Sequence, residues 1–230
     1  MSTTSARIRV DLKQQGVTKT VADLALRVAN RVMILKVLKC VTIETPNPEF
    51  LNCDKNYRGL FMEPDLLRKF SASPDYELSP SFLDRALAKG DECYGFLDGD
   101  VLAAYGWYSR KPTETDWHGL MIHFDDEHIY MYKGFTHPKH RGKRLHAVGM
   151  SRALEANLER GYKGIVSYVE WNNFASLKSC YRMGYTDFGT IYAAAIGSTW
   201  LVHCDAGCRR GGFRLANAVW RSPDACVVLN

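Results

Sequence analysis

Apolar and polar positions alternate along some stretches of this chain and recur every three to four residues along others. The two clearest cases meet at one short basic segment. Across residues 128–136, Tyr130 and Tyr132 fall on one face of an extended chain and Ile129 and Met131 on the other, the period-two pattern of a strand. Beyond residue 146, Ala147, Met150, Leu154 and Leu158 recur at helical spacing, with Arg152, Glu155 and Glu159 marking a wet face. Arg160 and Gly161 stop that helix. The turn between them, residues 135–145, holds Pro138 and the basic residues Lys139, Arg141, Lys143 and Arg144. A strand that passes through such a turn straight into a helix directs several backbone N–H groups, and the positive end of the helix dipole, at one spot. That spot suits a phosphate.

The same patterning organises the rest. Residues 1–16 mix small polar and basic residues and read as an arm. From Thr18 or Thr20 to about Leu38, the spacing of Val21, Leu24, Val28, Val32 and Leu35 predicts an amphipathic helix capped by Thr20 and bordered by Arg27, Arg31, Lys36 and Lys39. Its apolar stripe is expected to pack on the domain, the alternative being an anionic membrane surface. Residues 37–44 are β-branched enough for a strand, ended by Pro46 and Pro48. Helices are predicted over 64–71 and 80–89, the second opening with Pro80 and closing at Gly90. Asp98-Gly99 between two apolar runs, 92–97 and 101–108, signals a hairpin. Residues 164–170 read as a strand, 173–183 as a helix ending at Gly184, and 185–195 and 200–203 as strands. The tail beyond Phe213 has strand-like pieces without an assigned place.

Composition narrows the class. With 230 residues, 46% of them apolar and 24% charged, the chain can bury one substantial core or carry one domain with an extension. The division expected is a basic arm and helix over 1–40 and a domain over 41–230. Net charge is +5, and residues 1–40, with eight Lys or Arg against two Asp, account for +6 of it. No aromatic-interleaved basic surface accompanies that charge, so no nucleic-acid partner is expected. Seven cysteines without framework spacing point to a reducing compartment, and neither a signal peptide nor a membrane span is legible, so the expected location is cytoplasmic. Asp116, His118, His123, Asp125, Asp126, Glu127 and His128 crowd one polar connection. The favoured reading is a solvated loop, with the mouth of an amine pocket as the functional alternative. His203, Cys204 and Cys208 lack the spacing of a metal site, and no metal is expected.

The loop residues Arg141, Gly142, Lys143, Arg144, Leu145 and His146 resemble the acyl-CoA pyrophosphate loop of the GNAT superfamily of N-acetyltransferases, whose pattern is Arg or Gln, two residues, Gly, one residue, then Gly or Ala. The segment from Asn173 and Ser176 to Cys180, Tyr181, Gly184 and Tyr185 resembles that superfamily's second motif. The match covers roughly residues 92–195. It departs from the pattern at Arg144 and His146. The resemblance implies an α/β (α+β) fold with a mixed, mostly antiparallel central sheet, a splayed strand pair and helices on both faces.

It further implies acetyl-CoA or another acyl-CoA as co-substrate. Main-chain groups of Phe135 and Thr136 would hold the pantetheine arm, the 141–146 loop the pyrophosphate, and Asn173 and Ser176 the arm or an ordered water. A backbone N–H near Phe135 would serve as oxyanion donor. For proton transfer the candidates are Glu170 as base and, for the leaving thiolate, Cys180, Tyr181 or solvent. Cys180 stands four residues before Gly184, where many members have Tyr. A thiol has an ordinary pKa of about 8.5, against about 10 for a phenol. The acceptor implied is a small-molecule amine, such as an amino sugar, amino acid or polyamine. The alternatives are a long-chain acyltransferase served by acyl-CoA or an acyl carrier protein, and a CoA-binding relative without turnover. A homodimer and a peripheral membrane contact through the N-terminal helix stay open.

Overall fold

The structure, a computed structural model, describes residues 16–30, 34–117, 119–196 and 199–217. Helix α1 (Val17–Ala29) leads into strand β1 (Ile34–Ile43). Strand β2 (Tyr57–Phe61), helices α2 (Pro64–Ser71) and α3 (Pro80–Lys89), and strands β3 (Glu92–Asp98) and β4 (Val101–Ser109) follow. The two short strands β5 (Thr113–Glu114) and β6 (Leu120–His123) precede β7 (His128–Thr136), α4 (Leu145–Glu159), β8 (Gly164–Glu170) and α5 (Phe174–Met183). Strands β9 (Thr186–Ile196) and β10 (Thr199–Cys204), helix α6 (Ala206–Arg210) and strand β11 (Arg214–Asn217) complete the described chain.

Eight strands form one sheet in the order β10-β9-β1-β8-β7-β4-β3-β2, antiparallel throughout except for the parallel pair β7 and β8. A helix must cross between parallel neighbours, and α4 does so. Its buried face, with Leu145, Val148 and Leu154, packs on Phe96, Ile129 and Ile165. On the opposite face, Leu67, Phe70 and Leu83 of α2 and α3 cover Trp107 and Phe135. Beside them, Ile122, Cys208, Phe213 and Leu215, from α6 and the small sheet β11-β6-β5, cover Leu38, Tyr130 and Val166. The result is the mixed, mostly antiparallel sheet with helices on both faces that was expected. No described helix is long and apolar enough to cross a membrane.

Helices α2 and α3 and the Asp98-Gly99 hairpin fall where the sequence predicts them, with Gly99 at φ +57° in the turn. The N-terminal helix does not reach Leu38. Asn30 ends it, its amide donating to the Leu26 carbonyl while its side-chain oxygen accepts from Leu35 N–H. The helical spacing of Val28, Val32 and Leu35 therefore joins two elements, and Val32 and Arg31 lie outside the described residues. Two paired edges, to β8 and β9, override the local period. Lys36 and Lys39 are strand residues that pair with Glu170 at 2.7 Å and Asp187 at 3.7 Å. A domain boundary at residue 40 would cut β1.

Gly16, at φ +81°, opens α1, and Thr20 donates back to its carbonyl instead of capping. The stripe packs the other way round from expectation. Thr20 and Asp23 are buried, with Asn172 donating to Asp23, whereas Val17, Val21, Leu24 and Val28 face outward. Arg152 is likewise not on a wet face: its Nε donates to the Leu51 carbonyl at 2.8 Å and its guanidinium lies over Phe96.

Strands β2, β5 and β6 and helix α6 carry no sequence signal of their own, and β11 gives one of the tail's strand-like pieces its place. The tail is held by Asp205, which caps α6 through Cys208 N–H at 2.9 Å and also accepts from Thr190 N–H of β9 at 2.8 Å. These N–H donors hold the Asp205 carboxyl below its ordinary value. The stabilisation is full above the unfolded-state pKa of about 3.9 and is lost as pH falls through the lower folded value. Asp205→Ala should lower unfolding free energy by about 1 kcal/mol at pH 7 in urea melts, with the difference from the parent chain shrinking below pH 4.

Candidate functional site

The site begins where β7 and β8 part. Their ladder holds His128, Ile129 and Tyr130 opposite Gly164, Ile165 and Val166 and goes no further, although both strands continue. Ser167 Oγ donates to the Met131 carbonyl at 2.8 Å as the last bridge. The parting follows from a bulge: opposite Trp107 and Tyr108 stand Lys133 and Met131, so Tyr132 is an extra residue in β7. A bulge bends and twists its strand, and β7 stays with β4 while β8 stays with β1.

Beyond the bulge, the facing of the main chain can be read from one bond. His137 N–H donates to the Ala103 carbonyl at 2.9 Å, and alternation along an antiparallel ladder then turns Phe135 toward β4 and Gly134 and Thr136 toward the gap. The Thr136 N–H is therefore available to a guest in the gap, while its carbonyl accepts from Arg141 Nε at 3.4 Å. Phe135 is not. Its main chain pairs with β4, its ring stacks on Tyr105, and Gly134 stands in its place.

At the end of β7, residues 138–140 make one 3-10 turn, Gly142 takes φ +80° and Arg144 takes φ +59°, and α4 starts at Leu145. The N–H groups of residues 142–147 meet no protein acceptor among the described residues; the first bonded amide is that of Val148. Arg141, Lys143 and Arg144 are exposed around them, Arg144 leaning over the ring of Phe50. The left-handed conformation explains how Arg144 can stand where Gly is usual: Arg is strained there, not excluded. The His146 substitution has a different explanation. Its imidazole tucks under the helix against Gly134, where an added Cβ would overlap the ring, and burial pushes its pKa down, so it is neutral at pH 7.

The second motif is less convergent. Asn173 Oδ1 caps α5 by accepting from Ser176 N–H at 3.2 Å, so both residues are engaged in the helix start. Cys180 packs against the core beneath α4, and burial, with Asp187 nearby, pushes its thiol up to about 11. Tyr181 points outward and donates to Asp187 at 2.8 Å; burial and that carboxylate push it up to about 12. Glu170 is ion-paired with Lys36. Two phenols given no role in the sequence, Tyr108 and Tyr185, are buried on the α4 side with hydroxyls that meet no partner among the described residues. Among the described residues, no three metal-ligating side chains come together.

On the opposite face of the gap lies a cavity of about 590 Å³, walled by α3 and the 112–116 segment and floored by Tyr130, Tyr132 and Tyr168. Asp91, its carboxylate enclosed, binds Lys89 at 3.0 Å and accepts from the Tyr132 hydroxyl at 2.8 Å. Lys89 also donates to Thr113 at 2.8 Å; its burial lowers its pKa against the pull of Asp91. Glu114 and Asp116 line the same cavity, so part of the polar connection, including β5, forms a wall. The repeated Tyr at alternate positions of β7 was the one sequence signal of this floor. Lys89, Asp91 and Tyr168 had none.

No family model matches the chain, and no curated protein matches its sequence. Solved structures resemble its fold. A tandem GNAT protein from the clavulanic acid biosynthesis pathway aligns over 74% of this chain and 54% of its own length, at 13% identity and a TM-score of 0.50. A putative acetyltransferase of the GNAT family from Novosphingobium aromaticivorans aligns over 76% of this chain and 67% of its own, at 16% identity and 0.49. A GCN5-related N-acetyltransferase-like protein from Streptococcus suis aligns over 78% and 67%, at 13% and 0.49. At such identities the likeness is one of fold.

The contact between His146 and Gly134 is open to test. Gly134→Ala should lower stability by about 1–3 kcal/mol in urea melts, as overpacking does. Adding His146→Ala should restore it. A Gly134→Ala chain of unchanged stability would show that the imidazole yields without cost.

Proposed function

We propose that this chain, built on the fold of the GNAT acetyltransferases, transfers an acyl group, acetyl from acetyl-CoA, to the primary amine of a small molecule. The observation that carries this reading is the parting of β7 and β8 beside a helix start whose amides at 142–147 have no protein acceptor. The strand gap suits an extended arm, and the amides, with Lys143 and Arg144, suit a diphosphate. Acyl-CoA, when bound, supplies both together with a thioester carbon. Gly134 and Thr136 would hold the arm through their main chain, and an N–H of the same strand edge would donate to the oxyanion.

An alkylammonium cannot attack, so its proton must leave first. Asp116 takes that role in preference to Glu170, because it lines the cavity, acts electrostatically on Tyr130 and Tyr168, and has no ion-pair partner among the described residues. As the amine nitrogen bonds to the carbonyl carbon, the carbon–sulfur bond breaks and the thiolate needs a proton. Cys180, at about 11, is a stronger base as thiolate than an ordinary thiol at about 8.5, so transfer from it runs uphill. Tyr181 is committed to Asp187. Solvent is then the donor.

A second reading, a long-chain acyl group on CoA or on an acyl carrier protein, takes its support from α1. That helix reaches residues 172–174 through Asn172 and Phe174 and turns its apolar stripe outward. Thiol release from acetyl-CoA, compared with long-chain acyl-CoA and acyl-carrier donors, separates the two. Acetyl-CoA and CoA should each raise the melting midpoint. Arg144→Glu should weaken either ligand about tenfold, whereas Arg210→Glu, on α6 beyond the opposite face of the sheet, should not; equal affinities would remove the loop assignment. Cys180→Ala should keep turnover within about twofold, and a loss beyond about tenfold would return the proton to Cys180.

A further inference from the structure

The cavity opposite α4 carries a charge pattern that acyl transfer alone does not require. Lys89 and Asp91 satisfy one another. Four further charged side chains line the space without an ion-pair partner among the described residues: Arg85 and Lys133, and Glu114 and Asp116. The two signs stand on different elements, with Glu114 also acting electrostatically on Lys89 of α3. Arg85 stands on α3, and Lys133, reaching from β7, lays its Nζ 5.3 Å above the ring of Phe82 on that same helix. The carboxylates stand on the 112–116 segment, Asp116 close enough to Tyr130 and Tyr168 to perturb both phenols. Tyr130 marks the last ladder pair before the gap, so Asp116 stands near where the strands part, while Lys133, on β7 beyond that pair, reaches away to α3.

From this arrangement we infer that the cavity seats a small zwitterion, an amine that carries its own carboxylate on an apolar or aromatic body. Its ammonium is held by Asp116 and Glu114 beside the strand gap, and its carboxylate by Arg85 and Lys133 on the α3 wall. The body lies on the rings of Tyr130, Tyr132 and Tyr168, whose neighbouring centroids are 6.0 and 6.4 Å apart. A cation over such rings gains further attraction. The volume, about 590 Å³, lies within the range of small-ligand sites. The alternatives fare worse by charge. A polyamine sets cations against Arg85 and Lys133, a polyacid sets anions against Glu114 and Asp116, and a neutral amine leaves the α3 wall unmatched. The inference rests on the acyl-transfer reading for what happens to the amine, but not for binding.

Isothermal titration of the full chain, free and saturated with CoA, with common amino acids and their decarboxylated amines, and with spermidine, tests it. At least one amino acid should bind about tenfold or more tightly than its own amine and than spermidine. Arg85→Gln with Lys133→Gln should remove that advantage while leaving the amine's affinity in place, which a loss of folding would not do. Amines that match their amino acids throughout, or no amino acid binding at all, would overturn the zwitterion seat. The CoA isotherm in the same series reports on the donor site independently: its absence counts against acyl transfer without bearing on the amino-acid result.

Discussion

One extra residue in β7 decides the shape of this molecule's chemistry. Parallel strands of a sheet normally stay paired to the end of the shorter one, because each unpaired N–H and C=O near the core forfeits hydrogen bonding. Here the bulge at Tyr132 bends β7 after Tyr130, Ser167 closes the last opening against Met131, and the sheet divides along a line that runs between its two faces. Main-chain groups that a regular sheet would consume remain pointed at the gap. The bulge also brings Tyr132 and Lys133, neighbours in sequence, to the same cavity.

The two faces of the gap are built on different physical grounds. On the α4 side the available groups belong to the backbone: the helix start, and the edge of β7 at Gly134 and Thr136. Side-chain identity there matters mainly where it gets out of the way, as Gly134 does for His146. On the other side, side chains do the work. Tyrosines from two strands form a floor, the network of Lys89, Asp91, Tyr132 and Thr113 ties α3 to the sheet and to β5, and charges of both signs stand around the opening. A backbone-built side is tolerant of sequence, and a side-chain-built side is not.

That difference also explains what could be read in advance. The strand, turn and helix around residues 128–159 were legible because period-two and period-3.6 patterns abut there, and α2, α3 and the hairpin were legible through Pro, Gly and Asp-Gly signals. The α1–β1 junction misled because Val28 and Leu35 keep helical spacing across a break that Asn30 imposes by local hydrogen bonds. The cavity was nearly silent. Lys89, Asp91 and Tyr168 come from separate elements, and nothing in a linear pattern says that a carboxylate after one helix will meet a phenol on a strand 41 residues later. Glu170 shows the converse: a carboxylate well placed by sequence that the fold gives to Lys36.

Strand β1 has a bearing on biosynthesis. It lies inside the sheet between two partners that come much later in the chain: Lys36 waits for Glu170, 134 residues further on, and β9 comes later still. Until then both its edges lack the neighbours they finally have. Such distant pairings slow assembly and leave strand edges open to other chains. The nascent protein should therefore depend on chaperones more than its size suggests.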